Sequence, residues 1–556
     1  MPLATTVKDQ ILAGDGENAK DTANQLAALT TDAREQTDVG VWKSLEGLPF
    51  VGPNLHAVRT AAAVTDDLVK GAIVPATDLN LNALAPVNGA INLAAISDME
   101  STVFHAADTL DKAAAELDTI SHDALIPQVE KALDSLTTSV DELQPLLGPA
   151  ADILAVLPAA LGADGPRNYL AIFQNNAEAR STGGNPAALV VITVDQGVIS
   201  LGQQASSSLF QNGRPEPVTA LNPEAVAIYG DNIGRWIPDA TMTPDFSETA
   251  TIMRAWWSEE FGTPIDAVIS FDPVALSYLL EATGAITIPA EPLDVRGQSV
   301  QVLDQPLTLD SENAVQFLLN DVYWQYSTGS LQDAIFAASA RAVFDSLTSG
   351  KAQGMALVAG LVRAADEGRL MYTPASQEEA DLVGYSTLAG RLPMTNTDAT
   401  VLGAYVNDTT TSKLDYYVQF DVSATTTQCT AANSPQFTLT TTLTNTVTPE
   451  LARDLPYSIA PGRYYPKGDV ATNLVFYGPV GASGVGASVD GIEVSPETFV
   501  HLGRTAVKIP VYNTPGQMHV VEVEFAGMDE SYGPLEVRHT PMARATAVDV
   551  DQPGCE

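Results

Sequence analysis

Between two apolar runs, the stretch FQNNAEARSTGGNP (173–186) gathers Asn175, Asn176, Arg180, Gly183 and Gly184. An arginine fork can hold a phosphate through two parallel N–H bonds, and adjacent glycines let backbone N–H groups face one ligand. The turn follows a hydrophobic strand, and in open α/β sheets ligands bind at the strands' C-terminal edge. Neither the phosphate-loop spacing nor the dinucleotide fingerprint is present. The same residues also describe a hydrogen-bonded reversal, with the Asn side chains satisfying backbone groups and Arg180 paired to Glu178 or another acid. Both readings stand at this point.

A second cluster lies in GDNIGRWIPDATMTPDFSETA (230–250), which carries Arg235, Asp239 and Asp245. Two carboxylates and an arginine suit a divalent cation set against a phosphate. The alternative has Trp236 packing the loop, Asp239 in a turn and Asp245 at a helix start. Hydrolase chemistry finds little here. No Gly-x-Ser-x-Gly occurs, and the six histidines (56, 105, 122, 501, 519 and 539) leave 166–395 without one. That counts against a Ser/His/Asp triad and imidazole acid–base work in the segment. The histidines and the two cysteines, Cys429 and Cys555, lack zinc-ligand spacing. Cys429 and Cys555 are expected to pair, which requires an oxidising compartment.

These residues need elements to position them. The 556 residues exceed what one core serves. Residues 1–165 place apolar side chains three and four apart between prolines, the pattern of a helical bundle or stalk. Trp42 and Phe50 are expected to anchor one helix end to another. Residues 166–395 alternate short β-branched runs (NYLAIFQ, AALVVITV, DAVISF) with helices opened by Asp245, Asp272 and Asp310, an α/β layered domain. The pair Trp256–Trp257 is expected in its core. Residues 396–556 supply regularly spaced strands, a β-sandwich. The linking stretch VNDTTTSKLDYYV puts Asp408 and Lys413 where the two parts meet. The expected fold is multidomain α+β.

The net charge of −41 is spread as −16, −15 and −10 over 1–165, 166–395 and 396–556. Such a surface repels nucleic acid and anionic headgroups. No window approaches the length of a membrane span, and the first residues do not form a signal peptide. The chain reads as soluble, with any membrane anchor outside it.

The motifs RNYLAIFQNNAEARSTGGNPAALVVITVDQGVISL, WIPDATMTPDFSETA, IDAVISFDPVALSYLLEATGAITIP and LGAYVNDTTTSKLDYYV follow in this order. Together they resemble the bacterial family termed domain of unknown function 4012, over about residues 35–545. The resemblance implies an actinobacterial cell-envelope setting and an outward-facing, extracytoplasmic location; the family has no established activity. The central segment also resembles LytR-CpsA-Psr proteins, which attach envelope glycopolymers from polyprenyl-pyrophosphate carriers. In that family arginines and aspartates gather around the pyrophosphate and a magnesium ion. Arg180 matches, and Arg235, Asp239 and Asp245 match less well. After Arg180 this sequence has Gly183-Gly184-Asn185 where that family has a further Arg-x-Asp pair. The expectation is a non-catalytic, cofactor-free envelope or surface-assembly protein binding glycan or lipid-linked glycan, with no nucleic-acid partner. Two alternatives are kept: a glycopolymer phosphotransferase, the one reading that calls for magnesium, and a self-associating structural surface protein.

Overall fold

The computed structural model describes residues 2–12, 15–79, 86–122, 125–350, 354–431 and 433–555. It has two compact units, Met1–Pro166 with Asp195–Val198, and Arg167–Val194 with Ile199–Glu556. Its elements make a multidomain α+β protein.

The first unit is helical: α1 (Pro2–Leu12), α2 (Gly16–Thr37), α3 (Gly52–Leu68), α4 (Leu93–Leu117) and α5 (Pro127–Ala160), with shorter turns between. The Asp15 side chain caps α2 and that of Asn92 caps α4, each accepting a backbone N–H three residues on. Along α4, Ile96, Met99, Ala106, Leu110, Ala113 and Leu117 repeat at helical spacing and are buried. Ala113 and Leu117 join Ala57, Val64, Leu133, Leu136 and Val140 in one core. Asp66 is 1% exposed and pins α3 to α2 by accepting from Thr30 (3.1 Å), Thr31 (3.0 Å) and Arg34 (3.3 Å). Two expectations need correcting. α5 runs through Pro145, Pro149 and Pro158 instead of breaking at them. Trp42 donates to the Leu55 carbonyl at 2.9 Å, but Phe50 is 83% exposed and anchors nothing.

The second unit begins with a five-stranded sheet. β1 (Arg167–Asn175) lies between β2 (Asn185–Asp195) and β4 (Ala267–Phe271), with β3 (Val198–Ser206) and β5 (Met371–Pro374) at the edges. β1 runs antiparallel to β2 and parallel to β4. One face is covered by α6 (Phe246–Phe261), whose Trp256 and Trp257 are buried with Leu170, Ile172, Leu189 and Val268. Asp245 caps α6 by accepting from the Ser247 N–H at 2.8 Å. Asp272 caps α7 (Pro273–Thr283) by accepting from the Ala275 N–H at 2.7 Å. α8 (Gly329–Thr348) and α9 (Gly354–Asp366) complete the helices needed here.

The sandwich has two sheets. The first takes β6 (Thr400–Asp408), β9 (Val470–Val480), β12 (Glu497–His501), β13 (Arg504–Asn513) and β15 (Leu535–His539), in the order β12-β13-β9-β6-β15. The second takes β7 (Val418–Thr426), β8 (Gln436–Asn445), β10 (Ser483–Val489), β11 (Ile492–Glu493), β14 (Met518–Ala526) and β16 (Val548–Asp551), in the order β11-β10-β14-β8-β7-β16. Alternate residues face inward, as in Val418, Phe420, Val422 and Ala424 of β7. β6 breaks that rule, because all nine of its residues are buried. The sandwich covers one of its faces, and the α/β segment covers the other. The cores are continuous: Leu276, Phe317 and Tyr323 share a cluster with Phe420, Phe437, Phe476 and Phe525.

Candidate functional site

Because β1 and β4 are parallel neighbours, their C-terminal ends sit side by side, and the 176–184 turn rises from that edge as the sequence suggested. The edge is not an open crevice. β6 and the chain after β15 lie on it. Asn176 donates to Asp272 (2.9 Å) and to the Pro541 carbonyl (2.8 Å). Asn175 donates to the Tyr323 hydroxyl at 2.7 Å. Ser181 N–H donates to Asn407 at 3.1 Å, whose amide returns a bond to the Ser181 hydroxyl at 3.0 Å. The Ala179 N–H donates to Asp415 at 2.7 Å, and its carbonyl accepts from the Asp408 N–H at 2.9 Å.

The glycines serve this close approach. A Cβ on Gly184 would lie 2.1 Å from the Asn175 carbonyl oxygen, and Gly183 has φ 134°, a conformation glycine alone adopts freely. Inside the turn, Gln174 accepts from the Gly184 N–H at 2.9 Å and donates to Ser270.

Arg180 is 5% exposed. It donates to its neighbour's carbonyl, Ala179, at 2.9 Å and to Asp239 at 3.4 Å. Arg235 is elsewhere occupied, by the Arg214 carbonyl at 2.7 Å and by Asp231. Asp245 is spent on the α6 cap, with Arg391 approaching to 3.9 Å. Of the four charged residues marked as candidates, only Arg180 and Asp239 meet, and no shared partner brings Arg235 or Asp245 to them. Among the described residues, no group of three or more His, Cys, Asp or Glu side chains is placed to hold a metal ion.

The electrostatics around the turn are those of a buried polar lock. Burial pushes Asp239, Asp408 and, most strongly, Asp415 above the ordinary carboxylate range. Glu178 is buried as well, but the ion pair with Lys413 outweighs that and holds its carboxyl below the usual range. The same pair holds Lys413 up despite its burial.

A residue-by-residue search of 166–395 finds no histidine, yet the fold brings two in from the sandwich. His501, fully buried, bridges Glu248 (3.2 Å) and the Tyr477 hydroxyl (2.8 Å), which in turn meets the Tyr229 hydroxyl at 2.8 Å. His539 lies after Arg538 at the end of β15, beside the turn.

Two pockets flank the turn. Phe173, Leu276, Leu318, Phe336 and Val343 make the walls of an apolar one, which Gln174, Asn175 and Asp272 join; it holds about 630 Å³ of empty space out to its open side. Ser181 and Thr182 line the other, a half-open cleft, with Arg391, Tyr405, Arg538 and His539. None of the last four figured among the candidates. The available signal was an arginine placed inside an alternating strand, LEVRH.

Residues 164–323 match the model of the family described as Protein of unknown function (DUF4012), and that segment carries its domain. The match is narrower than the 35–545 over which the motifs suggested it. No curated protein matches the chain. Among solved structures, a Streptococcus agalactiae protein is similar at 10% identity over 42% of this chain and 77% of its own, with a TM-score of 0.25. A Listeria innocua protein is 12% identical over 44% and 87%, with a TM-score of 0.19. An Enterococcus faecalis protein described as a transcriptional regulator is 12% identical over 41% and 73%, with a TM-score of 0.22. At such scores no argument about fold or function passes from them to this chain.

Proposed function

We propose that the second unit binds a lipid-linked glycan on the outer side of the cell envelope and does not transform it. The observation that carries this is the apolar pocket beside the turn, where Phe173, Leu276, Leu318, Phe336 and Val343 face a common space edged by Asn175 and Asp272. A concave apolar wall with a few polar groups at its margin suits a hydrocarbon chain attached to a polar head. The Cys429–Cys555 disulfide supports an oxidising, extracytoplasmic compartment. The phosphotransferase alternative draws no support from Arg180, whose guanidinium is engaged by Asp239 and the Ala179 carbonyl. The test is titration of the purified chain with a fluorescent short-chain isoprenol. Saturable binding is expected, abolished with folding retained by Ala340→Trp, which fills the pocket from its wall on α8. No binding, or binding indifferent to that substitution, overturns the reading.

A further inference from the structure

Arginines of the second unit carry charge that their surroundings do not match. Arg504 is 1% exposed and donates only to main-chain carbonyls: Val401 (2.7 Å), Gly478 (2.8 Å) and Pro393 (2.6 Å). Arg538 likewise donates to the Arg391 and Tyr385 carbonyls, and its buried Nε has no hydrogen-bond partner. Glu536 acts on it through space without forming an ion pair. Arg391 stacks 4.5 Å over the Tyr385 ring, its Nε also without a hydrogen bond and no nearer than 3.9 Å to Asp245. A guanidinium stays protonated, so its burial calls for a counter-charge.

The neighbours provide it only in part: Asp245 lies 3.9 Å from Arg391 and does not reach Arg538 as an ion-pair partner. Burial pushes the Tyr405 phenol up to about 12, so it is neutral. Asp245 is itself held above the carboxylate range by burial. Glu367, which reaches the same pocket, is already held by Arg369 (2.7 Å), Arg363 (3.1 Å) and the Tyr278 hydroxyl (2.7 Å). Asp366 lines the pocket too, but as an exposed residue. His539 donates its Nδ1 proton to the Thr540 carbonyl at 2.9 Å, and burial keeps the ring neutral, which leaves Nε2 an acceptor. Such an acceptor suits a hydroxyl or a P–OH. In a chain of net charge −41, this is a pocket with two arginines in its wall, Arg538 without a carboxylate in ion-pair contact and Arg391 with only the long 3.9 Å pair to Asp245.

We infer that the pocket lined by Ser181, Tyr405, Arg391, Arg538 and His539 is an oxyanion-binding site. The oxyanion is the phosphate or the acidic-sugar carboxylate of the envelope ligand; naming it so rests on the glycan-binding reading above, whereas the site itself rests on two arginines in the pocket wall whose Nε atoms make no hydrogen bond.

The experiment is calorimetric titration of the full chain at low salt with inorganic phosphate and, separately, with glucuronate. Saturable binding of at least one anion is expected. It should weaken roughly tenfold or more in Arg391→Gln and Arg538→Gln, the loss of a charge-assisted contact, and stay unchanged in Arg453→Gln, an exposed arginine outside the pocket. Phosphate binding alone points to a phosphorylated head, glucuronate binding alone to an acidic sugar. If Arg538→Gln does not fold, Arg391→Gln decides. Absence of binding in the wild type, or equal binding in Arg391→Gln, overturns the inference. Isoprenol binding that persists without anion binding sinks this site alone. Anion binding that persists without isoprenol binding sinks the lipid reading alone.

Discussion

Lys413 and Glu178, 235 residues apart in sequence, form a part-buried ion pair that ties the sandwich's first linker to the central turn. Lys413 also lies 4.9 Å from the centre of the Tyr323 ring. Among the turn's other partners, Asp408 and Asp415 are acids.

Removing one member strands the other. Lys413→Met leaves the part-buried Glu178 without its ion-pair partner, with Arg180 acting on it only through space, at a cost of about 2–3 kcal/mol. The double variant Glu178→Gln, Lys413→Met should recover much of that loss. Urea denaturation of the wild type and the two variants checks it, and a double variant no more stable than the single refutes it.

Asp415 gives a pH signature. Burial, with Asp408 adding to it, places its folded-state pKa well above the unfolded value of about 3.9. The native state then binds more protons between the two values. The stabilisation is complete below about pH 4 and is lost as pH rises through the folded pKa. Asp415→Asn keeps an acceptor for the Ala179 N–H and does not ionise. It should gain on the wild type as pH rises from about 4 to neutrality. A melting-temperature difference that is constant with pH would count against this.

How much was legible in advance follows from range. Asp245 and Asp272 cap helices through backbone groups two or three residues away, so local sequence announces them. The α4 stripe and the strand alternation are equally local. Arg180–Asp239 and Asn176–Pro541 join residues 59 and 365 apart, and no periodicity links such positions. The turn was therefore recognisable as a special stretch, but whether it faced a ligand or the sandwich was not. The Arg391–Arg538 pocket was invisible for the same reason. Its two arginines come from the loop after β5 and from β15, and neither stretch is unusual alone.

Gly184 tests the turn's geometry. Gly184→Ala places a methyl 2.1 Å from the Asn175 oxygen. Backbone must move, and a loss of about 3 kcal/mol is expected, the upper end of what overpacking costs. Thermal unfolding within a degree of wild type would show the site more yielding than described.

The disulfide is the easiest to examine. Cys429 and Cys555 lie 126 positions apart, and opening the bridge with Cys429→Ser, Cys555→Ser should cost about 2–4 kcal/mol. Denaturant midpoints with and without reductant give the value. Two free thiols in non-reduced peptide maps would remove the bridge altogether.

The central turn receives its partners late. Asn407, Asp408 and Asp415 follow it by some two hundred positions, and Thr540 donates to the Ser181 carbonyl only from 359 residues away. During synthesis the α/β layer must therefore wait, its turn solvated by water, until nearly all of the sandwich has emerged. The last large step of folding is a docking event of very high contact order, which is slow and leaves apolar sheet surface open meanwhile. A ribosome stalled before Thr540 would hold a chain whose turn lacks the bonds from Thr540 to the Ser181 carbonyl and from Asn176 to the Pro541 carbonyl.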